Sequence, residues 1–345
     1  MAGNFDRVCL IRRDYRMRAV AMYLPQFHRV PENDAWWGEG FTEWTAVRGG
    51  EVLADGQTQP REPLDDNYYC LLDKETLLWQ AELLKKYDIG LCFYHYYFKE
   101  GRKILEKPAE LLLEHPEIEM PFCFCWANES WARTWSKIEN KNSWVRKGEV
   151  QSQEEGNGIL LEQKYGREQE WKEHFHYLLP FFKDSRYICV DGKPVLLIYQ
   201  PTKIMVLQEM CWFLKELARK NGLPGLYIIG ENTNKMLPGL DATMYSGPMG
   251  YSYAENATWY TEEHFINDVR SFSYDRIWGD ALNAPLISGK KTYFGAFVDF
   301  DATPRLGEKG VVVYGAEPEK FKNYLTELMA KNEAYGKDIT FINAW

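Results

Sequence analysis

The chain has no apolar run near the roughly 18 residues that a membrane-spanning helix requires. Its first residues, Met1-Ala2-Gly3-Asn4-Phe5-Asp6-Arg7 with Arg12, Arg13, Arg16 and Arg18 behind them, hold no apolar stretch ahead of a small-residue cleavage site. Neither a transmembrane segment nor a signal peptide is expected; residues 1–18 read as an N-terminal leader, and the location as cytoplasmic. No stripe of Lys and Arg is present. The 41 basic residues face 50 acidic ones, a net charge of −9, which argues against nucleic acid as a partner. No G-x-G-x-x-G follows an early strand, so the dinucleotide fingerprint is missing. Cysteines are few, odd in number and scattered: Cys9, Cys70, Cys92, Cys123, Cys125, Cys189 and Cys211. That distribution argues against a disulfide framework. Cys123 and Cys125 share one face of a strand, but no further soft ligands lie close by in sequence. Buried reduced thiols are expected there rather than a metal site, and no cofactor is expected.

Aromatic side chains are abundant: 13 Trp, 22 Tyr and 18 Phe, 15% of 345 residues. Sugar rings stack their C–H faces on aromatic rings, while their hydroxyls need polar partners. A carbohydrate site therefore interleaves Trp and Tyr with Asn, Asp, Glu and His. A large aromatic core is the alternative use of the same residues.

Short apolar runs at residues 19–23, 90–98, 121–128, 194–200, 226–231, 242–246, 292–300 and 339–344 read as eight strands. Helical spacing marks residues 75–87, 171–182, 205–221 and 317–332. Strands alternating with helices imply parallel pairing, and nearly all-apolar strands imply cover on both faces. The expected fold is α/β, a (β/α)8 TIM-type barrel in one domain over residues 1–345, with a long first βα loop. The polar stretch 151–158 reads as an exposed loop rather than a domain boundary.

Barrel enzymes place their active sites at the C-terminal strand ends. Those ends hold Tyr23, Gln26 and His28; His95 and Tyr96; Trp126, Asn128 and Glu129; Glu231; Tyr245; and Asn343. Aromatics, amides, carboxylates and His prevail and Lys and Arg are scarce, which suits a neutral polyhydroxylated ligand. Residues 31–45 of the first loop add Trp36, Trp37, Phe41 and Trp44 among Glu32, Asp34, Glu39 and Glu43. This loop either walls the site or folds into a self-packed plug. Glu43 and Trp44 are its binding candidates.

At these residues the chain resembles a known family. Tyr23-Leu-Pro-Gln-Phe-His28, Pro31-Glu-Asn-Asp34, Trp36-Trp37-Gly38, Gly40-Phe-Thr-Glu-Trp44 and Trp126-Ala-Asn-Glu129 with Trp131 look like WbsX-type proteins. Asp191-Gly-Lys-Pro194 and Phe341-Ile-Asn-Ala-Trp345 look like their later blocks. The resemblance implies a barrel similar to glycoside hydrolase family 99, an oligosaccharide or polysaccharide substrate, and a place in lipopolysaccharide, capsule or other surface-glycan metabolism. It also implies two glutamates three apart just past the last strand, carrying catalysis in the hydrolase relatives. The sequence stops at Trp345, so a shortened chain without the eighth helix is expected.

Glycosyl cleavage or transfer needs an acid for the leaving oxygen and a second carboxylate. Glu129 and Glu231 are the catalytic candidates, and either equally suits hydrogen bonding to sugar hydroxyls. Asp299-Phe300-Asp301 opens another reading, a sugar-nucleotide-dependent glycosyltransferase holding a metal and a diphosphate on the Asp pair. A carbohydrate-binding barrel without activity is the third.

Overall fold

A computed structural model describes residues 19–132, 159–260, 264–287, 289 and 291–344. The leader, Cys9, the polar stretch 151–158 and Trp345 lie outside the described residues. Eight parallel strands follow one another around a ring: β1 (Ala19–Tyr23), β2 (Ile89–Tyr97), β3 (Phe122–Trp126), β4 (Lys193–Ile198), β5 (Tyr227–Glu231), β6 (Ala242–Tyr245), β7 (Thr292–Phe294 and Ala296–Phe297) and β8 (Thr340–Asn343). Each pairs with its successor, and β8 pairs with β1 through Ala19↔Thr340, Val20↔Phe341, Ala21↔Ile342 and Met22↔Asn343. The fold is the (β/α)8 barrel, with strand positions as the apolar runs indicate.

Closure depends on a break in β7. Its first half pairs with β6 (Thr243↔Thr292, Tyr245↔Phe294) and its second with β8 (Ala296↔Ile342, Phe297↔Asn343). Gly295 sits at the switch, its N–H donating to Tyr245 O at 2.9 Å. A Cβ there would lie 2.6 Å from that same oxygen. The Asn332 side chain occupies the gap: its Oδ1 accepts from Phe294 N at 3.0 Å, and its Nδ2 donates to Phe294 O at 2.9 Å and Thr340 Oγ1 at 2.9 Å. The continuous strand expected over 292–300 is corrected to two short segments broken at Gly295, the first pairing with β6 and the second with β8.

Helices Lys74–Lys86, Glu168–Lys183, Leu207–Lys220 and Pro318–Ala334 confirm the four periodic segments, and Lys107–Glu114 and Tyr274–Asn283 add to the outer layer. Helix Glu168–Lys183 buries Trp171, Phe175, Leu178, Phe181 and Phe182 against the barrel, each contributing about 1.5–3 kcal/mol. Between β2 and this helix, His95 Nε2 meets His174 Nε2 at 3.0 Å, and His174 stacks on Tyr97 at 4.0 Å. Asp191 and Gly192 both have positive φ, 49° and 73°, and turn the chain from Cys189–Val190 into β4, the pattern of a two-residue hairpin turn.

The long first loop is more ordered than an irregular segment. Pro31–Trp37 and Glu43–Arg48 are helical. Pro31 occupies the first helical position, and a Thr42/Thr45 capping box starts the second helix. The loop is tied down by Asp301, which accepts from Gln57 Nε2 at 2.9 Å, Gln59 Nε2 at 2.8 Å and Thr303 N and Oγ1 at 2.9 and 2.7 Å. A small sheet of His264–Ile266, Val269–Ser273 and Val311–Tyr314 packs Val269 and Val312 against Ala54 of this loop. Among the described residues no helix is long and apolar enough to cross a membrane.

Candidate active site

A cavity of about 360 Å³ opens at the C-terminal ends of the strands, within the usual span of about 300–1,000 Å³ for small-molecule sites. Every strand contributes. Leu24 follows β1, Tyr94 and Tyr96 lie on β2, Ala127 and Glu129 follow β3, Tyr199 follows β4 and Asn232 follows β5. Residues 246–250 follow β6, Phe300, Ala302, Arg305 and Leu306 follow β7, and Asn343 ends β8.

Strand parity decides which strand-end residues reach the cavity, because successive side chains point to opposite faces. Tyr94 and Tyr96 point in. His95 between them points out to His174, and burial pushes its pKa down to about 3. Leu24 lines the cavity; Tyr23 instead accepts from Gln80 Nε2 at 3.0 Å on the outer helix. Ala127 lines it; Trp126 donates its Nε1 to Tyr97 O at 3.2 Å and packs on His174. Ser246 lines it; Tyr245 stacks on Tyr251 and Phe294 in the outer core. Tyr23, His95, Trp126 and Tyr245, expected at the substrate site, thus pack outside the barrel wall rather than lining the cavity.

The first loop settles as a plug over the barrel rather than an aromatic wall. Trp44 packs on Phe27 and Tyr69 and donates its Nε1 to Tyr69 O at 2.8 Å, Trp36 packs on Trp131, and Trp37 on Phe41. None of these rings lines the cavity, so Trp44 is not a stacking platform there. Gln26 and His28 are buried away from the lining, and burial pushes the His28 pKa down to about 4. Gln26 holds the loop by its main chain, its O accepting from Glu43 N at 2.9 Å. Asn128 closes a ring with the Gln200 backbone, accepting from Gln200 N at 2.8 Å and donating to Gln200 O at 3.0 Å. It fixes the end of β3 and so the position of Glu129, rather than contacting the cavity.

Tyr96, Glu129 and Asn343 remain from the predicted set as lining residues. Asn343 donates its Nδ2 to Gly247 O at 2.9 Å. Burial raises the pKa of Glu129 from 4.5 to about 7, with the Arg305 guanidinium opposing; Gln200 Nε2 donates to its Oε2 at 3.3 Å. Burial also holds the Tyr96 and Tyr199 phenols well above their ordinary range, and the Glu129 charge adds to both. Glu231 is fully buried and absent from the lining, although Asn232 beside it belongs to it. It accepts from Cys125 Sγ at 3.2 Å, and burial raises its pKa to about 7, with the Cys125 thiol and Ser246 hydroxyl pulling the other way. Expected as a second catalytic carboxylate, it is placed with its side chain packed inside the barrel rather than at the cavity lining.

Glu43 does not line the cavity either. It pairs with Arg305, Oε2 to Nη2 at 2.6 Å, the two side chains 15% and 20% exposed. Arg305, on the one-turn helix Thr303–Leu306 after β7, was absent from the sequence expectations because nothing in its local pattern marks it. Asp299 accepts from Arg61 Nη2 at 2.5 Å and Asp301 is filled by Gln57, Gln59 and Thr303. The Asp pair is thus engaged in holding the loops together.

The sequence matches the profile of the family described as Glycosyltransferase WbsX over residues 19–345. The chain belongs to the WbsX glycosyltransferase family. Proteins named uncharacterized protein WxcX in two strains of Xanthomonas campestris pv. campestris are 31% identical over 337 residues, 94% of this chain. The chain spans about half the length of these curated relatives, 45%. Among solved structures, a glycoside hydrolase-like protein is similar with a TM-score of 0.52 at 11% identity, over 94% of this chain and 83% of that one; this bears on the fold alone. A GH99 endo-alpha-mannosidase from Bacteroides thetaiotaomicron has a TM-score of 0.47 at 14% identity, over 95% of this chain and 83% of its own. The cavity of this WbsX chain lies at the C-terminal strand ends, where barrel enzymes hold their chemistry.

Proposed function

We propose that this WbsX chain is a carbohydrate-active enzyme of surface-polysaccharide metabolism, cleaving or transferring a glycosyl group at the barrel mouth with Glu129 as the proton-transferring residue. The supporting observation is a carboxyl whose pKa is raised to about 7, lining a sugar-sized cavity to which all eight strands contribute. A general acid works best with its pKa near the operating pH. Protonated Glu129 gives its proton to the leaving oxygen as the anomeric C–O bond breaks. The carboxylate then takes the proton of the incoming hydroxyl, from water or a sugar acceptor, as that oxygen forms the new bond to the anomeric carbon. Tyr94, Tyr96, Tyr199, Asn232 and Ser246 surround the sugar with hydroxyl and amide groups.

The sugar-nucleotide-dependent alternative loses support from the engagement of Asp299 and Asp301. Incubation with surface-polysaccharide oligosaccharides, and separately with sugar nucleotides with and without a divalent cation, distinguishes the routes by mass spectrometry of the products. Turnover of oligosaccharide that falls about 10²–10⁴-fold in Glu129→Gln is the expected result. Full turnover by that variant removes Glu129 from the chemistry, and binding without any turnover leaves a binding barrel.

A further inference from the structure

Most aromatic rings at the cavity are already engaged by other rings. Tyr94 meets Tyr199 edge-on, 6.1 Å between centroids and 87° between planes, and Tyr96 meets Trp131 edge-on at 5.2 Å and 80°. Phe300 also lines the cavity, and among the described residues no other aromatic ring meets it. We propose that Phe300 is the platform on which a pyranose ring lays its C–H face. This rests on the reading of the cavity as a sugar site, and it names the residue that turns the sugar within it.

The backbone of Phe300 is tied on both sides. Its N–H donates to Asp299 Oδ1 at 2.8 Å, and its O accepts from Val313 N at 2.8 Å. Asp299 accepts from Arg61, and Asp301 from Gln57, Gln59 and Thr303. The triplet Asp299-Phe300-Asp301 is therefore a mount, two anchored carboxylates with one ring between them. A platform held this way loses little freedom when a ligand settles on it, which favours binding.

The ring is also backed by apolar packing. Phe300 and Met249 are half-buried against the hydrophobic cluster that includes Phe297 and Val313. Both line the cavity, so the cluster reaches the cavity wall at these two residues. Ala302 and Leu306, from the same loop as Phe300, add aliphatic surface to the lining. The hydroxyl and amide groups come from other strands: Tyr94 and Tyr96 from β2, Asn232 after β5. A pyranose carries its hydroxyls around its edge and C–H bonds on its faces. A phenyl ring offers a hydroxyl no hydrogen bond, and burying an unpaired hydroxyl is costly. The sugar therefore turns a C–H face to Phe300 and its edge to the phenols and the amide. The class selected is a closed sugar ring with a continuous C–H face, as opposed to an open-chain polyol with the same hydroxyls.

The test is ligand-observed saturation-transfer NMR. The probes are methyl β-D-glucopyranoside, methyl β-D-galactopyranoside and methyl α-D-mannopyranoside, with sorbitol as the open-chain control. At least one glycoside is expected to bind the wild type, with the strongest saturation on ring protons of one face. Phe300→Leu keeps apolar bulk against the cluster but removes the flat ring, and is expected to weaken that binding about tenfold with little change in melting temperature. Phe300→Tyr keeps the ring and retains the affinity. Sorbitol binding, if any, is the same in all three proteins. Equal glycoside affinity in wild type and Phe300→Leu overturns the proposal, as does a loss in Phe300→Tyr as large as that in Phe300→Leu. Saturation spread evenly over ring and methoxyl protons in the wild type overturns it as well. Failure of the wild type to bind any of the glycosides removes the sugar-site reading and the platform with it, whereas full turnover by Glu129→Gln removes only the acid.

Discussion

At the scale of single residues, two carboxyls share a raised pKa for one reason and differ in use. Burial lifts both Glu129 and Glu231 to about 7, but Glu129 lines the cavity and Glu231 does not. A carboxyl whose folded pKa lies above its unfolded value stabilises the fold below the unfolded pKa, and that contribution is lost as pH rises through the folded one. Glu231 thus costs stability between about pH 4.5 and pH 7, on the order of 3 kcal/mol at most. Glu231→Gln, an uncharged near-isostere, is expected to be markedly more stable relative to the wild type at pH 8 than at pH 5. Urea unfolding at the two pH values checks this, and an equal effect at both would contradict it. Both glutamates were visible in the sequence as strand-end residues; which one faces solvent was not, since composition at a strand end says nothing about depth.

At the scale of elements, the outer layer is sensitive to acid. Burial keeps His95 and His174 uncharged in the fold, with the pKa of His95 at about 3 and that of His174 well below its ordinary value. The unfolded chain takes up these protons below about pH 6.5, so stability is present above that pH and is lost as the pH falls toward the folded values. His174→Phe keeps a ring against Tyr97 but leaves the His95 Nε2 unpartnered, at about 1–3 kcal/mol near pH 7. The deficit relative to the wild type is expected to shrink at pH 5, measurable by denaturant unfolding; a constant deficit would argue against the pair as an acid-labile joint. The β7 break gives a second element-scale prediction. Asn332→Ala strips partners from the Phe294 N–H and C=O and from Thr340, and should cost at least about 2 kcal/mol, seen as a lower melting temperature. Helix positions were legible because apolar residues recur at helical spacing. The break was not, because Gly295 lies inside an otherwise continuous apolar run, and the Asn332 side chain that takes up the Phe294 backbone groups there comes from a helix 38 positions on.

At the scale of the whole molecule, the first loop and the loop after β7 form one assembly over the barrel mouth, joined by Asp301–Gln57, Asp301–Gln59, Asp299–Arg61 and Glu43–Arg305. Asp301→Ala leaves the barrel core intact and frees this joint. Limited proteolysis is then expected to cut faster within residues 49–66, while the midpoint of core unfolding moves little; unaltered cleavage would show the joint to be redundant. The eight-strand order was readable from the sequence, since parallel strands covered on both faces are continuous apolar runs separated by helices, and the order of those runs is the order around the ring. Glu129, Tyr96 and Asn343 were found as cavity residues on the same grounds. The tertiary structure alone decided parity and depth: His95, Trp126, Tyr23 and Tyr245 stand one position from residues that line the cavity and point the other way. A run apolar on both faces carries no alternation to show which face is inside. Arg305 and its link to Glu43, 262 positions apart in the chain, likewise exist only because closing the barrel brings its first and seventh loops together.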